Sequence, residues 1–328
     1  MSRLLAFGEV LVDWIPLELQ RQGRLEIPIY GQFPGGAPAN VAVAVAELGQ
    51  SAYMLGQVGA DPAGDFLRDC LLRQQVNCDY LLRSEQQATP MAFVSLDADG
   101  ERSFTFQRSD SADLKVKASS FPLSLFQEPG IVHVCSNTLT EAEIAMTTMS
   151  LLANARQAGM LVSFDVNLRL PLWQDTSALV KRVMALAGLS DMLKLSQQEW
   201  DYLTEQLAVK ELDASLFALG VQVILLTNGG EAVQLLLPKQ RISLTPPQLE
   251  VVDTTGAGDA FTGAWLACLL EQNIHSLPAL KQALVQPQAL QQALTYAVHA
   301  GALAVTKAGA WSALPNADEL NAFIQAKE

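Results

Sequence analysis

The chain has 328 residues, 50% of them hydrophobic and only 17% charged, enough apolar material for one large core and too much for a disordered chain. Its formal net charge of -13 argues against nucleic acid or an anionic membrane as partner, since both require a positive face, but leaves room for a nucleotide in a local positive pocket. No uninterrupted apolar run approaches the ~20 residues of a membrane span. Glu9 and Asp13 interrupt the apolar start, which reads as a strand rather than a signal peptide, so a cytoplasmic protein is expected.

In chain order, short apolar or β-branched runs at 4–12, 52–58, 131–135, 161–165, 192–195 and 223–227 read as buried strands. Helical segments fall between most of them: 41–48 ending at Gly49, 63–75, 141–158 ending at Gly159, and 176–187. Gly49 and Gly159 stand where a helix stop favours a left-handed residue. Strand and helix in alternation predict an α/β fold with a mostly parallel sheet covered on both faces.

Two stretches break this rhythm. Residues 15–34 carry three prolines and no helical period, and 89–107 alternate on either side of Asp97-Ala98-Asp99-Gly100, a β-hairpin pattern. That tetrapeptide lacks the remaining positions of a calcium loop and reads as a turn. The two stretches are expected to form a small separate β-sheet lid, with 1–14, 35–88 and 108–328 as the core. Cys70, Cys78, Cys135 and Cys268 are scattered and read as packing residues in a reducing compartment, and His133, His275 and His299 are too dispersed for a metal site.

The most informative segment is Asp253-Thr254-Thr255-Gly256-Ala257-Gly258-Asp259, which opens an apolar helix over 260–270. A helix start presents unpaired N–H groups and the positive end of the dipole, and glycines let a phosphate approach them closely. A carboxylate in that place repels a phosphate unless it does chemistry on it, so an anion cradle with a built-in base suggests phosphoryl transfer to a hydroxyl. An ordinary strand-to-helix turn with Asp259 as cap is a poorer reading, because caps precede the first turn. A dinucleotide fingerprint fails because Phe261 occupies the place of the third glycine, and no Walker A sequence is present. Nearer the start, Gly35-Gly36-Ala37-Pro38-Ala39-Asn40 opens another helix, with Asn40 able to cap it or to bind a ligand hydroxyl; alone, this motif is compatible with a plain turn.

Taken together, these two motifs resemble those of the ribokinase-like (PfkB) carbohydrate kinase family, and the resemblance runs from Gly8-Glu9-Val10-Leu11-Val12-Asp13 to Gly309-Ala310. The phrases PGGAPANVAV, GERSFTF, SFDVNLR, KLSQQEW, VDTTGAGDAF and GALAVTKAGA are most similar to the fructokinase-like subgroup and to its near relative, aminoimidazole riboside kinase. The resemblance implies a three-layer α/β/α core with a small β lid. It also implies a kinase using ATP and Mg²⁺, activated by K⁺, with a homodimer joined through the lid.

Carried over by position, Asp259 matches the general base, and the amides of Gly256, Ala257 and Gly258 match the anion hole for the transferring phosphoryl group. Asp13, at the end of the first strand, together with Gly36 and Asn40, resembles the sugar contacts. In Asp165-Val166-Asn167-Leu168-Arg169 the resemblance puts Asn167 on the nucleotide side and Arg169 on the substrate or phosphate side; a surface ion pair is the competing reading of Arg169. Lys194 matches the nucleotide-phosphate lysine and Glu199 the carboxylate that organises Mg²⁺ and its waters, although Ser196 replaces the Asn of the usual Asn-x-x-Glu. Thr227 and Gly229 fit a nucleotide-binding turn in which Ala232 replaces the last glycine. Asp253, Thr255, Ala304, Lys307 and Gly309 fall where relatives hold a monovalent cation, largely through backbone carbonyls.

Phe106 lies where the riboside-kinase relative has a substrate-contacting tyrosine, and a Phe cannot donate that hydrogen bond. The expected reaction is therefore phosphorylation of D-fructose at O6. Kinases for aminoimidazole riboside, nucleosides or 2-keto-3-deoxygluconate are the alternatives within the family. A non-catalytic sugar- or nucleotide-binding regulator and a nicotinamide oxidoreductase are rivals from other classes. Loss of Asp259 or its glycines would mark the first, and all are intact; the second is disfavoured by the absent glycine fingerprint.

Overall fold

The computed structural model describes residues 2–96 and 102–327, so the Asp97–Gly100 turn read from the sequence lies outside the described residues. In chain order the strands and helices are β1 (Arg3–Phe7), β2 (Leu11–Gln22), β3 (Leu25–Gly35), α1 (Ala37–Glu47), β4 (Ser51–Gly59), α2 (Pro62–Arg73) and β5 (Leu81–Ser84). Then come β6 (Met91–Leu96), β7 (Arg102–Gln107), β8 (Gly130–Cys135), α3 (Ala142–Gln157), β9 (Leu161–Asp165), α4 (Leu179–Ala187), β10 (Met192–Ser196), α5 (Gln197–Leu207) and α6 (Leu212–Ala218). The chain continues through β11 (Val223–Thr227), β12 (Val233–Leu237), β13 (Gln240–Leu244), α7 (Ala257–Glu271), α8 (Leu277–Val285), α9 (Gln288–Ala304) and α10 (Ala317–Gln325).

Alternate residues of each buried strand feed opposite cores. Leu4, Ile131, Met192 and Val223 face α1, α7 and α9, whereas Leu5, Val132, Leu193 and Ile224 face the layer holding α3, α4 and α5. The nine-stranded sheet between these layers has the order β13-β12-β11-β10-β9-β8-β1-β4-β5. It is parallel from β5 to β11, and β12 and β13 add an antiparallel edge. This is the three-layer α/β architecture expected from the alternation. The strand order reverses between β1 and β8, and in open α/β sheets the crevice beyond the strands' carboxyl ends at such a reversal binds ligands.

Helix α7 explains its own composition. Every residue from Ala260 to Leu270 is buried, and it lies between α1 and α9, so it has no polar face to present. At Gly263 a Cβ would collide with that of Ala44, so a glycine there lets α7 and α1 approach closely. That contact brings the start of α7 to the start of α1.

A second, four-stranded sheet has the order β3-β2-β6-β7. The run 4–12 is not one strand as the sequence suggested: β1 ends at Phe7, and the chain crosses into the second sheet, where β2 starts at Leu11. Asp13 therefore sits in the second sheet and not at the end of the first strand. Its register runs Phe33–Asp13–Ala92–Phe106 across all four strands. The prolines that disguised β3 are tolerable because it is an edge strand, and Pro16 adjoins a bulge in β2. Helix α1 starts earlier than expected, at Ala37 with Gly36 as N-cap, so Asn40 lies within the helix and does not cap it.

Candidate active site

A cavity of about 940 Å³ opens at the carboxyl edge of the main sheet, between it and the second sheet. Asp13 and Phe106 reach its wall from the second sheet, sharing one cross-strand row with the small, buried Ala92 between them. Gly36, Asn40, Asn167, Arg169, Lys194, Glu199 and the turn Asp253–Asp259 complete much of the wall. A narrower, mostly apolar cavity of about 350 Å³ adjoins it, lined by Thr227, Gly229, Val233, Pro246, Val298 and Val305 among others. Thr254 and Gly258 line both cavities. The turn at the head of α7 is thus the partition between a polar chamber and an apolar one.

That turn leaves backbone donors unclaimed at the start of a helix. Gly256 is the N-cap of α7, left-handed at φ 75°, and no side chain caps the helix. The amide of Ala257 reaches back to the Thr254 carbonyl at 3.3 Å, and the first-turn amides beyond it are uncapped. A Cβ at Gly258 would stand 3.0 Å from Lys194 Nζ, so the ammonium hangs over the turn. Lys194 Nζ also donates to Asp165 Oδ2 at 3.0 Å. Burial works against the Lys194 charge, but the carboxylates of Asp165, Glu199 and Asp259 outweigh it and hold its pKa above the usual lysine value.

Asp259 occupies the first turn of α7, as predicted, and its Oδ2 accepts a 2.6 Å hydrogen bond from Asn40 Nδ2. Asn40 thus reaches the carboxylate itself, 219 residues away in the chain. Burial raises the Asp259 pKa, and the Asn40 donor, Lys194 and Arg169 pull against it. A carboxylate so placed is a stronger base than one in water, and it lines the cavity. Arg169 is exposed at the cavity and its Nη1 donates only to the Leu168 carbonyl, at 3.1 Å, so no carboxylate claims it among the described residues. The surface-ion-pair reading of Arg169 does not hold.

The remaining predicted residues divide. Asn167 is buried with φ 36°, a left-handed conformation that Asn tolerates better than most residues and that marks a constrained loop at the end of β9. Glu199 is the third residue of α5 in a capping box with Ser196: its Oε2 accepts the Ser196 amide at 2.7 Å and its Oε1 the Leu168 amide at 2.6 Å. Ser196 therefore has a local job of its own. Gly229 is left-handed at φ 54° and Thr227 Oγ1 donates to the Leu195 carbonyl at 3.3 Å, fixing the turn at the mouth of the apolar cavity.

Asp253 binds two loops together. Its Oδ1 accepts from the amide and hydroxyl of Thr255 at 3.0 and 2.8 Å, and its Oδ2 from the Gly309 amide at 2.9 Å. Ala304 is buried at the end of α9 beside these loops, whereas the Lys307 ammonium turns toward Glu319, 3.3 Å away. The Lys307 side chain is thus directed to an ion pair.

Sequence reasoning missed three wall or support residues. Glu9 and Asn137 line the large cavity, Asn137 Nδ2 donating to Glu9 Oε1 at 2.8 Å while its own buried Oδ1 has no partner among the described residues. The only signal for Glu9 was a carboxylate inside an apolar run. Trp311 Nε1 donates to Asn40 Oδ1 at 2.6 Å, across 271 positions, and no local pattern announces it.

A mostly parallel α/β/α core with a small second sheet over a polar chamber defines a ribokinase-like fold. The model of the pfkB family carbohydrate kinases matches residues 1–317, and the chain belongs to that family. It is 35% identical over 325 residues to a fructokinase of Vibrio alginolyticus, covering 99% of each. The fructokinase of Xylella fastidiosa, solved with bound ATP, superposes with a TM-score of 0.93 at 36% identity, covering 99% of this chain and 98% of that one. A double-mutant fructokinase of Vibrio cholerae O395, solved with fructose, ADP and a potassium ion, gives a TM-score of 0.84 at 34% identity, with 99% and 98% covered.

Proposed function

We propose that this carbohydrate kinase transfers the γ-phosphoryl group of ATP to O6 of D-fructose. The observation that carries the reading is the shared turn: the polar and apolar cavities meet at Thr254 and Gly258, with the Asp259 carboxylate on the polar side. A sugar in the polar chamber and a nucleotide in the apolar one would face each other across that turn.

Asp13, Gly36 and Asn40 orient the sugar, and Asp259 takes the proton of its primary hydroxyl as the oxygen bonds to phosphorus and the bond to ADP breaks. The amides of Gly256, Ala257 and Gly258, with Lys194 and Arg169, stabilise the charge spread over the phosphoryl oxygens. Asn167, Thr227 and Gly229 position the nucleotide. The second sheet acts as a lid that keeps water from the transferring group; its strands fall in the expected segments 15–34 and 89–107, but β2 and β3 also take in 11–14 and 35, which the sequence assigns to the core of 1–14, 35–88 and 108–328. Asp13 and Phe106 tie its inner face to the sugar.

The residues present fit a hydrated divalent cation: Glu199 faces the chamber, and buried Asp165 carries an oxygen, Oδ1, with no hydrogen-bond partner among the described residues. Mg²⁺ there would neutralise phosphate charge. Both oxygens of Glu199 already accept backbone amides, so it would act on the metal's waters. For K⁺, Asp253 and Thr255 with the backbone near Ala304, Lys307 and Gly309 would hold the ion and stiffen the anion hole. A kcat unchanged when K⁺ is replaced by tetramethylammonium would remove that role.

Phe106, which cannot donate a hydrogen bond, favours fructose over a riboside that needs a hydroxyl partner. Purified protein assayed by coupled ADP release against fructose, ribose, adenosine, 2-keto-3-deoxygluconate and aminoimidazole riboside tests the assignment. Fructose should give the highest kcat/KM, and a clear preference for another acceptor sinks it. We also place the enzyme in the cytoplasm, where its four unpaired cysteines stay reduced; no described helix is long and apolar enough to cross a membrane. A homodimer through the second sheet is supported by the exposed Leu17, Leu19, Leu25 and Tyr30. Light scattering at the monomer mass would exclude it.

A further inference from the structure

We propose that Trp311 is a positioning residue for phosphoryl transfer: its indole N–H locks the Asn40 amide so that Asn40 can only donate to Asp259, a role that rests on Asp259 being the base. Trp311 opens a short 3-10 turn, Trp311–Ala313, and is 6% exposed. Its Nε1 donates to Asn40 Oδ1 at 2.6 Å, and Asn40 Nδ2 donates to Asp259 Oδ2 at 2.6 Å.

The lock follows from donor chemistry. An indole nitrogen donates and never accepts, whereas an amide presents an acceptor on one side and donors on the other. With Oδ1 committed to Trp311, the NH₂ group must face the carboxylate. The flipped amide would set N–H against N–H at Trp311 and oxygen against oxygen at Asp259, two mismatches in a buried place.

The consequence falls on protonation. A free Asn40 could serve either state of Asp259, donating to the carboxylate or accepting from the acid after a flip. Held by Trp311, it can only donate, and that bond is stronger to the carboxylate than to the acid, so the lock favours the ionised form. The other charged groups acting on Asp259 are Lys194 on β10, Arg169 after β9 and Asp165 at the end of β9. The two cations favour ionisation, while burial and Asp165 oppose it. Trp311 adds a selection that needs no charge of its own, and so costs no affinity for a phosphate nearby.

The test is the pH profile of kcat/KM in Trp311→Phe, which keeps an aromatic ring and removes the donor. The acid limb should move up by about half to one pH unit, lowering activity on the limb ~3–10-fold, while the plateau changes less than the limb. A uniform loss at every pH with an unmoved limb would mean that Trp311 merely packs, and would overturn the proposal. Should the variant not fold, the wild-type enzyme still decides the matter through the NMR signal of the Trp311 indole N–H during acid titration. It should stay downfield and protected from solvent exchange while Asp259 protonates, and a flip or loss of protection at that step would overturn the lock. Asp259→Asn is measured in parallel. Turnover retained there removes the base assignment itself, whereas a dead Asp259→Asn beside an unmoved limb removes only the role of Trp311.

Discussion

Asp259→Asn separates chemistry from folding more cleanly than any other change in this site. Asparagine is nearly isosteric with aspartate, and it can keep an oxygen where Asn40 Nδ2 now donates at 2.6 Å. Its NH₂ group then occupies the position of the free carboxylate oxygen, where it cannot accept a proton from a sugar. General base catalysis contributes ~10²–10⁴ in rate, and at 1.36 kcal/mol per tenfold this corresponds to ~3–5 kcal/mol of barrier. Stability should move the other way. Burial raises the folded pKa of Asp259, so its ionised form is less stable folded than unfolded, and stability is lost as pH rises from the ordinary carboxylate value through that raised pKa. A neutral amide escapes this loss. At pH 8 the variant should therefore melt at or above the wild-type temperature while kcat for fructose falls at least ~100-fold. Coupled ADP release at saturating ATP and circular-dichroism melting measure the two together. Turnover within tenfold of wild type in the folded variant would refute the mechanism, and a large loss of melting temperature would refute the electrostatic account of the site.

Three further outcomes follow from single contacts. Lys194→Met leaves Asp165 buried and unpaired, so it should cost ~3–5 kcal/mol of stability and raise the KM for ATP; adding Asp165→Asn should restore the melting temperature but not the KM, and joint recovery would mean that Lys194 never meets phosphate. Gly36→Ala places a Cβ 2.6 Å from the Glu9 carbonyl at φ 102°, strain that no side chain can relieve; we expect ~1–3 kcal/mol of destabilisation, and unfolding in urea at an unchanged midpoint would contradict it. Glu9→Gln should stabilise the protein increasingly above pH 4.5, because burial outweighs the Arg108 charge and raises the Glu9 pKa; a variant less stable than wild type at pH 8 would show that the Arg108 attraction dominates.

What the sequence reveals of this site depends on how local the chemistry is. The Asp253–Asp259 turn is legible because a helix start, two glycines and a carboxylate fall within seven consecutive residues. Asn167 is legible as a position because it follows a strand whose apolar run is plain, whereas Lys194, in the middle of β10, and Thr227, at the end of β11, are reached through the resemblance of their phrases. The hairpin β2–β3 is not, since Pro16, Pro28 and Pro34 erase the strand signal, and only the pairing partner reveals that the missing N–H groups fall at an edge or beside a bulge. The run 4–12 misleads for a related reason: Leu4, Ala6, Val10 and Val12 share one core across Gly8, but the backbone pairs into one sheet before it and into another after it. Hardest to read are contacts that exist only because α1 and α7 are driven together by their apolar faces. Asn40 finds Asp259 through that approach, at a separation of 219 residues, and meets Trp311, 271 residues away, on the turn that packs against α1. Local sequence thus supplies the reacting groups, while the core supplies their alignment. A change far from the substrate, such as a larger residue at Gly263 where α7 meets Ala44, should accordingly disturb the base through Asn40 before it disturbs the anion turn, whose geometry is set by its own seven residues.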